Sequence, residues 1–278
     1  MTIVRPSWLQ VREREAPLVV AFPHTGVDLP EDISDGLVSP WLARRDADWW
    51  VDLLYDFAAG VGATTVRTGI SRTVIDVNRD PSGASLYPGQ ATTELCPTTT
   101  FDGEPLYRPG RAPDAAEIAR RSAAYFAPYH QALTGQLARL RARHARVVLY
   151  DAHSIRSRIP RLFDGDLPQF NVGTNDGQSC DAALMDAVAT ICAASGRSWV
   201  VDGRFKGGWI TRRYGAPDTG VHALQMELAC RGYMTEPSGP PTPDIWPTPY
   251  TAEVAGPLRL VLTDILDACL SFARNPDR

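Results

Sequence analysis

Two of the five histidines stand where a metal site could form. His24 follows the apolar run 18–22, and His153 follows the apolar run 147–150, which ends at Asp151. Each run predicts a buried strand, and open α/β sheets build their sites at the carboxyl ends of strands. Two imidazoles at one sheet edge could bind one metal ion. On spacing alone, a histidine that packs at a loop and satisfies local hydrogen bonds is the commoner outcome.

A catalytic zinc ion usually takes three protein ligands and leaves one position for water, so the two histidines need a third partner. Asp46 and Asp48, at the start of a predicted helix over 46–60, are the candidate carboxylates. An acid in the first turn of a helix is also favoured by the helix dipole, whatever its function. The residue pattern by itself does not separate Asp46 from Asp48.

Arg79 lies where a predicted strand over 72–78 meets its loop. Strand alternation places Asp76 and Asn78 on one face, beside the start of that loop. A guanidinium suits two-pronged binding of a carboxylate, although an ion pair with a nearby acid is the commoner role of an arginine. The segment is therefore a candidate anion site.

Glu227 lies in the apolar run 221–229, on the same strand face as Gln225. A carboxylate within an apolar strand is unfavourable unless it is paired or functional. Glu227 is thus a candidate catalytic group, with a buried structural pair as the alternative. Lys206 is the only lysine of the chain, which confines Schiff-base chemistry to one position.

The spacing of apolar and turn residues predicts the elements that would position these side chains. The predicted strands cover 18–22, 63–68, 72–78, 147–150, 169–174, 199–201 and 221–229, and the predicted helices cover 46–60, 113–143, 180–195 with Ser179 as its cap, and 251–273. Strands that alternate with helices are typical of an α/β protein with a mostly parallel or mixed sheet. The long loop over 80–112, rich in Pro, Gly and Thr, indicates a functional segment or lid. Residues 1–278 contain no linker-like segment and are predicted to form a single domain.

The composition excludes several classes of protein. With 44% hydrophobic and 22% charged residues, the chain of 278 residues is not wholly disordered and can bury a large core. A formal net charge of −4 gives no sign of a nucleic-acid partner, and no apolar run approaches the roughly 20 residues of a membrane span. The N-terminus lacks the apolar core of a signal peptide, so the expected location is the cytoplasm. The five cysteines form no C-x-x-C pair and are expected to be reduced thiols.

Taken together, eight segments of the chain resemble the N-formylglutamate amidohydrolase (N-formylglutamate deformylase) family, whose activity is the last step of one histidine-degradation route. The segments are Pro-His-Thr-Gly at 23–26, Asp-Ala-Asp-Trp-Trp-Val-Asp at 46–52, Ser-Arg-Thr-Val-Ile-Asp-Val-Asn-Arg at 71–79, Leu-Tyr-Pro-Gly-Gln at 86–90, Thr-Thr-Phe-Asp-Gly-Glu-Pro-Leu-Tyr at 99–107, Asp-Ala-His-Ser at 151–154, Gly-Gly-Trp-Ile-Thr-Arg-Arg-Tyr-Gly at 207–215 and Gln-Met-Glu-Leu at 225–228. They occur in the family's order and extend over most of the chain. One such segment alone would be weak, whereas eight in order indicate membership.

The resemblance implies a fold of the zinc-carboxypeptidase and aspartoacylase type (phosphorylase/hydrolase-like), which is a mixed sheet with helices on both faces. It also implies a role for each candidate residue. By this likeness His24, Asp48 and His153 bind Zn²⁺ or another divalent transition metal. Glu227 is the general acid/base. Asn78 and Arg79 form the Asn-Arg pair that holds a substrate carboxylate. A histidine is common in the family at the position of Trp50, and there this chain departs from the pattern.

The implied reaction is metal-dependent hydrolysis of N-formyl-L-glutamate to formate and L-glutamate. A cation near the formyl carbonyl, Arg72 or Arg212, would stabilise the negative oxygen that forms during hydrolysis. The substrate is a small anionic N-formyl amino acid, so a locally positive pocket is expected inside this acidic protein. Two alternatives stay open: a related zinc amidohydrolase that acts on another N-acyl amino acid or a short peptide, and a binding protein that has lost turnover.

Overall fold

The structure is a computed structural model that describes residues 6–275 of the chain. Its strands are β1 (Leu9–Arg12), β2 (Leu18–Phe22), β3 (Thr64–Thr68), β4 (Val147–Ile155), β5 (Phe170–Gly173), β6 (Trp199–Val201) and β7 (Val221–Ala229). Within the described residues they form one seven-stranded sheet with the spatial order β1-β3-β2-β4-β7-β5-β6.

The centre of this sheet is parallel. Strands β3, β2, β4 and β7 are neighbours in that order and run in one direction. Strand β1 is antiparallel to β3, β5 is antiparallel to β7, and β6 is parallel to β5. The predicted mixed and mostly parallel sheet is therefore confirmed.

The helices of the described part are α1 (Glu31–Ser34), α2 (Val51–Leu54), α3 (Ala115–Arg121), α4 (Ala127–Arg141), α5 (Ala182–Ala194), α6 (Trp209–Tyr214) and α7 (Ala252–Arg274). A π-helical segment, Ser122–Phe126, joins α3 to α4. Short 3₁₀ turns cover Asp56–Ala59, Pro217–Thr219 and Cys230–Gly232.

Helices cover both faces of the sheet, as expected. Successive residues of a strand point to opposite faces, so β2 contributes to two cores. Val20 packs in one buried cluster with Leu184 of α5 and Leu262 of α7. Val19 packs in another cluster with Leu133 of α4. The sheet is thus the middle layer of three, and its apolar residues are shielded on both sides.

Several predicted elements agree with the structure in their positions. Strands β2, β6 and β7 have the predicted bounds, and α5 and α7 lie within about two residues of theirs. The cap of α5 differs, because the Asp181 carboxylate accepts the Ala183 N–H at 2.9 Å. The predicted cap, Ser179, instead donates its hydroxyl to the Ala223 carbonyl at 2.7 Å.

The predicted strand over 72–78 is wrong. The segment forms turns, in which the Val74 N–H donates to the Ser71 carbonyl (2.9 Å) and the Arg79 N–H to the Asp76 carbonyl (3.2 Å). Its apolar residues are buried, which explains the strand-like pattern, but the positions beside β2 belong to β3 and β4. Arg79 therefore follows a buried turn and not the end of a strand.

The single helix predicted over 46–60 is also wrong, because α2 and a 3₁₀ turn take its place. Trp50 has a φ of 63°, in the left-handed region where a right-handed helix cannot continue. Within this segment Leu53 is 42% exposed, whereas Val51 and Leu54 are buried. Asp46 and Asp48 consequently lie in turns that precede α2.

Strand β4 is longer than the apolar run 147–150 predicts. It continues through Asp151 to Ile155, because β7 pairs with it along its whole length. His153 therefore lies inside a strand and not in the loop after it. The short elements β1 and α6 were not predicted, since each has too few residues to show a clear apolar period.

None of the helices within residues 6–275 is long and apolar enough to cross a membrane. The five cysteines are all buried and free, as expected from their spacing.

Gly26 makes a close backbone contact that requires glycine. A Cβ atom at this position would overlap the Gly69 carbonyl group and the Ile70 carbonyl oxygen. These are backbone atoms, so the chain would have to separate to admit the methyl group. We expect Gly26→Ala to destabilise the protein by about 1–3 kcal/mol, measured as a lower midpoint of denaturant unfolding.

Gly135 provides the matched control. It is exposed on α4, and a Cβ there would meet nothing within 4 Å. Gly135→Ala should stabilise the protein by about 0.5–1 kcal/mol, because glycine is unfavourable inside a helix. If Gly26→Ala proved as stable as Gly135→Ala, the contact at Gly26 would not be tight in solution.

Candidate active site

The two histidines singled out by the sequence meet at the centre of the sheet. His24 lies just after β2, His153 lies in the neighbouring strand β4, and their ring centroids are 4.7 Å apart. Asp48 joins them: its Oδ2 is 3.1 Å from His153 Nδ1 and 3.7 Å from His24 Nδ1. All three side chains are buried, and one ligand atom from each lies within 4.8 Å of the others. The three residues are therefore placed to hold a metal ion.

The structure separates the two candidate carboxylates. Asp46 points elsewhere, since its Oδ2 accepts the Phe101 N–H at 2.7 Å and its Oδ1 lies 3.4 Å from an Arg156 nitrogen. Asp48 is the carboxylate beside the histidines.

Unpartnered atoms show that the cluster suits a cation. Within the described residues, His24 Nδ1 and Asp48 Oδ1 are buried and accept no hydrogen bond. The other ring nitrogen of His24, Nε2, donates to Asp76 Oδ1 at 2.6 Å, which leaves the lone pair on Nδ1 free. Two imidazole nitrogens and a carboxylate oxygen are a donor set typical of catalytic zinc sites. The residues present therefore fit such an ion.

A second carboxylate orients each histidine. Asp76 accepts from His24, and Asp151 Oδ2 lies 3.0 Å from His153 Nε2. Carboxylates that hold the far nitrogen of a metal-binding histidine fix its ring and raise its strength as a ligand. The other ring nitrogen, Nδ1, thereby faces Asp48 in both histidines.

The electrostatic environment matches these roles. Burial lowers the pKa of His24, and the positive charge of Arg72 adds to this effect, which favours the neutral imidazole that metal binding needs. Burial would raise the pKa of Asp76, but its interaction with His24 and the positive charge of Arg72 outweigh burial and hold it well below its usual range. Burial would likewise lower the pKa of His153, but the Asp151 and Asp48 carboxylates raise it well above its usual value. Burial and the neighbouring charges therefore shift the pKa values of the two histidines in opposite directions.

Glu227 lies beside the cluster because of the sheet register. On β7 it is the parallel neighbour of His153 on β4, so its distance from the metal ligands is set by the spacing of adjacent strands. Its side chain is buried, and burial raises the pKa of Glu227 to about 8, with the Asp48 charge acting in the same direction against that of His153. A carboxyl group with such a pKa can exchange a proton near neutral pH.

A cavity opens over these residues. It is lined by the metal cluster residues His24 and His153, by Glu227, and by the three arginines Arg72, Arg79 and Arg204. Tyr87, Ala91, Thr92, Thr93 and Phe101 of the long 80–112 loop complete part of its wall. The predicted positive pocket and the predicted functional loop thus occur at the same place.

Arg72 and Arg79 are joined to the cluster through one acid. Arg72 donates to Asp76 Oδ2 at 2.7 Å, lies 3.6 Å from Asp48 Oδ1 and packs over the Phe101 ring at 4.8 Å. Arg79 Nε is 3.7 Å from Asp76 Oδ2. Both guanidiniums are therefore held near the metal ligands, on the cavity wall.

Two other predicted substrate-binding residues have their polar groups engaged by the protein. Asn78 donates to Asp151 Oδ2 at 3.1 Å and accepts the Ile210 N–H at 2.7 Å, so its amide holds β4 and the start of α6. Arg212 donates to the Gly207 carbonyl at 2.9 Å and lies outside the residues that line the cavity. Their substrate-binding roles stay predictions, and the geometry favours Arg72 over Arg212 beside the cluster.

Sequence reasoning missed Arg204, which lines the same cavity. It stands in a turn after β6 without a neighbouring motif, and the chain has many arginines. In the sequence, the neighbouring Phe205 was a local signal for Arg204, because an aromatic side chain beside an arginine can pack against its guanidinium. In the structure the Arg204 guanidinium lies 5.1 Å from the centroid of the Phe205 ring.

Comparison with known proteins gives a consistent result. Residues 16–234 match the family model of N-formylglutamate amidohydrolase. The chain is 45% identical to an N-formylglutamate deformylase from Pseudomonas aeruginosa, over 96% of this chain and 97% of that protein. It is 44% identical to an N-formylglutamate deformylase from Pseudomonas putida, over 95% of this chain and 96% of that protein.

Solved structures share the fold. An N-formylglutamate amidohydrolase from Ralstonia eutropha JMP134 superposes with a TM-score of 0.76 at 26% identity, with 98% of this chain and all of that chain covered. A gene product of Agrobacterium tumefaciens superposes with a TM-score of 0.69 at 19% identity, with 95% and 96% covered, and shows the fold alone. Since a family model matches most of its length and curated relatives align along nearly all of it, the chain belongs to the N-formylglutamate amidohydrolase family.

Proposed function

We propose that this protein hydrolyses N-formyl-L-glutamate to formate and L-glutamate, with zinc held by His24, Asp48 and His153. The observation that carries the proposal is the cavity itself, in which the metal-type cluster, Glu227 and three arginines face one space. The substrate is that of the two N-formylglutamate deformylases from Pseudomonas to which the chain is similar. As the family resemblance implies, the reaction would belong to histidine degradation. We also propose that residues 1–278 form one domain, since a single sheet contains every strand of the described residues.

A zinc ion bound at the cluster supplies a Lewis acid that polarises a carbonyl group and activates water near neutral pH. The protein's own groups do the rest. Glu227 accepts the proton of the attacking water on its carboxylate and passes it to the nitrogen that leaves with glutamate. Its raised pKa and its place beside His153 support this role.

The arginines hold and stabilise negative charge. Arg72 stays charged, since burial would lower its pKa but the Asp76 and Asp48 carboxylates raise it. Next to the cluster it would stabilise the oxyanion that forms from the formyl oxygen. Arg79, on the same wall, would hold the α-carboxylate of the substrate.

The direct test is formate release from N-formyl-L-glutamate. We expect the purified enzyme to lose this activity with a strong chelator and to regain it when zinc is added. His24→Ala and His153→Ala should each lose bound zinc, measured as metal equivalents per chain, together with formate release. The fold should survive, as judged by circular dichroism.

His144→Ala is the matched control, because His144 lies outside the cluster and its ring contacts the Glu15 carbonyl through Nε2 at 2.8 Å. It should keep both zinc and activity. Full turnover by metal-free protein, or one zinc equivalent in His24→Ala, would contradict the assigned ligands.

Glu227→Gln tests the proton-transfer role. Glutamine keeps the size of the side chain and can still accept from Gln225, which donates to Glu227 Oε2 at 3.2 Å. The variant should keep zinc and a similar KM, but kcat should fall by about 10²–10⁴-fold. A near-normal kcat would make Glu227 a structural carboxylate.

Arg79→Lys tests recognition of the α-carboxylate. Arg79 donates from Nε to the Thr93 carbonyl and from Nη2 to the Thr93 hydroxyl, both at 3.1 Å, and lysine cannot reproduce this fork. Arg79→Lys should therefore be nearly as harmful as Arg79→Ala. Each should lower kcat/KM about ten- to hundredfold, which corresponds to about 1.5–3 kcal/mol of lost binding energy.

The same variants on a substrate with an α-carboxamide complete a double-mutant cycle. The defect should nearly vanish there, because Arg79 then has no carboxylate to hold. Additive losses would show that Arg79 acts only through its contacts with Thr93.

A further inference from the structure

Arg204 differs from the other two cavity arginines because it has no acidic partner. Arg72 pairs with Asp76, and Arg79 lies 3.7 Å from the same carboxylate. Within residues 6–275, no carboxylate oxygen lies within 4.0 Å of the Arg204 guanidinium. A partly buried positive charge on a cavity wall is therefore left without a directly paired carboxylate.

Backbone contacts fix the position of this charge. Arg204 Nε donates to the Leu162 carbonyl at 2.8 Å, and Nη2 donates to the Ala91 carbonyl at 2.9 Å. The guanidinium also packs against the Tyr87 ring at 5.5 Å and the Phe205 ring at 5.1 Å. These contacts come from separate segments of the chain, so the guanidinium is held in place before any ligand binds.

An anion would relieve the unfavourable environment of Arg204. Burial lowers the pKa of Arg204, and the positive charge of Arg79 acts in the same direction, against the opposing effects of Tyr87 and Glu227. Two guanidiniums that repel each other across one cavity are stabilised when each receives a carboxylate. The cavity thus suits a ligand with two negative groups.

The two arginines are held by contacts with different parts of the site. Arg79 is connected to it through Asp76, whose other oxygen accepts from His24. Arg204 contacts instead the long loop at Ala91 and the segment after β4 at Leu162. In an N-formyl amino acid, the α-carboxylate lies close to the reacting amide, and a side-chain carboxylate lies farther away.

We infer that Arg204 binds the side-chain carboxylate of the substrate and selects dicarboxylic N-formyl amino acids over neutral ones. This inference rests on the proposed function and deepens it, because it assigns one guanidinium to each carboxylate. Arg79 would hold the α-carboxylate, and Arg204 the distal one.

The test compares Arg204→Met with the unaltered enzyme on three substrates. These are N-formyl-L-glutamate, N-formyl-L-glutamine, which lacks the distal charge, and the α-carboxamide of N-formyl-L-glutamate. Arg204→Met should lower kcat/KM about ten- to hundredfold for the first substrate and for the α-carboxamide. It should change kcat/KM little for N-formyl-L-glutamine, so the preference for glutamate over glutamine collapses.

Arg146→Met is the matched control. Arg146 packs over the Phe272 ring at 4.7 Å and precedes β4, at the end of that strand away from His153. This substitution also removes an arginine that lies on an aromatic ring. Arg146→Met should leave unchanged the ratio of kcat/KM for N-formyl-L-glutamate to kcat/KM for N-formyl-L-glutamine.

Arg204→Gln is the second variant, for use if Arg204→Met fails to fold. The glutamine amide can still donate to one of the two backbone carbonyls. Arg204→Gln should lose the same preference. The inference is overturned if Arg204→Gln keeps the preference for glutamate, or if it loses equally on the glutamate and glutamine substrates. The proposed function still stands in that case, provided that the unaltered enzyme releases formate from N-formyl-L-glutamate. If the unaltered enzyme releases no formate from that substrate, the proposed function itself fails.

Discussion

The carboxylate of Asp76 is the interaction on which the rest of the site depends. Its Oδ1 accepts the His24 ring N–H at 2.6 Å and the Asn78 backbone N–H at 2.9 Å, and its Oδ2 accepts from Arg72 at 2.7 Å. A fully buried carboxylate is stable only when such donors compensate its loss of water. The Asp76 side chain thereby sets the tautomer of His24, the position of the Arg72 guanidinium and the shape of the turn at Asn78.

The charges at the centre of the fold explain why a cation suits it. Asp48, Asp76, Asp151 and Glu227 are all buried near the two histidines. Like charges in a poorly solvated interior raise each other's energy, and a raised pKa of Glu227 is one sign of this. A divalent ion next to Asp48 would offset part of this repulsion, whereas protonation of His153 offsets it in the absence of an ion.

Much of the fold could be predicted from the sequence, because short apolar runs bounded by turn residues mark buried strands such as β2 and β7. The same rule failed at 72–78, since burial and not strand pairing selects apolar residues there. The histidines and Glu227 could be singled out because they interrupt or follow apolar strands. The family resemblance pointed to Asp48, whereas residue spacing alone did not separate it from Asp46. In the structure Asp48 lies beside the histidines and Asp46 accepts the Phe101 N–H. Arg204 could not be found, because an unpaired charge is a property of three-dimensional neighbours and leaves no pattern in the sequence.

The parallel register of β4 and β7 has a consequence for how such an enzyme can change. His153 and Glu227 are adjacent across two strands buried in the sheet, and so their separation is part of the framework. Arg204, Tyr87 and Phe101 stand instead on loops, which tolerate substitution and insertion far better than central strands do. His153 and Glu227 are thus carried by the central sheet, whereas Arg204 and Tyr87 are carried by loops. Other acyl amino acids could be accommodated by remodelling the loops around Arg204 and Tyr87 while β4 and β7 stay unchanged.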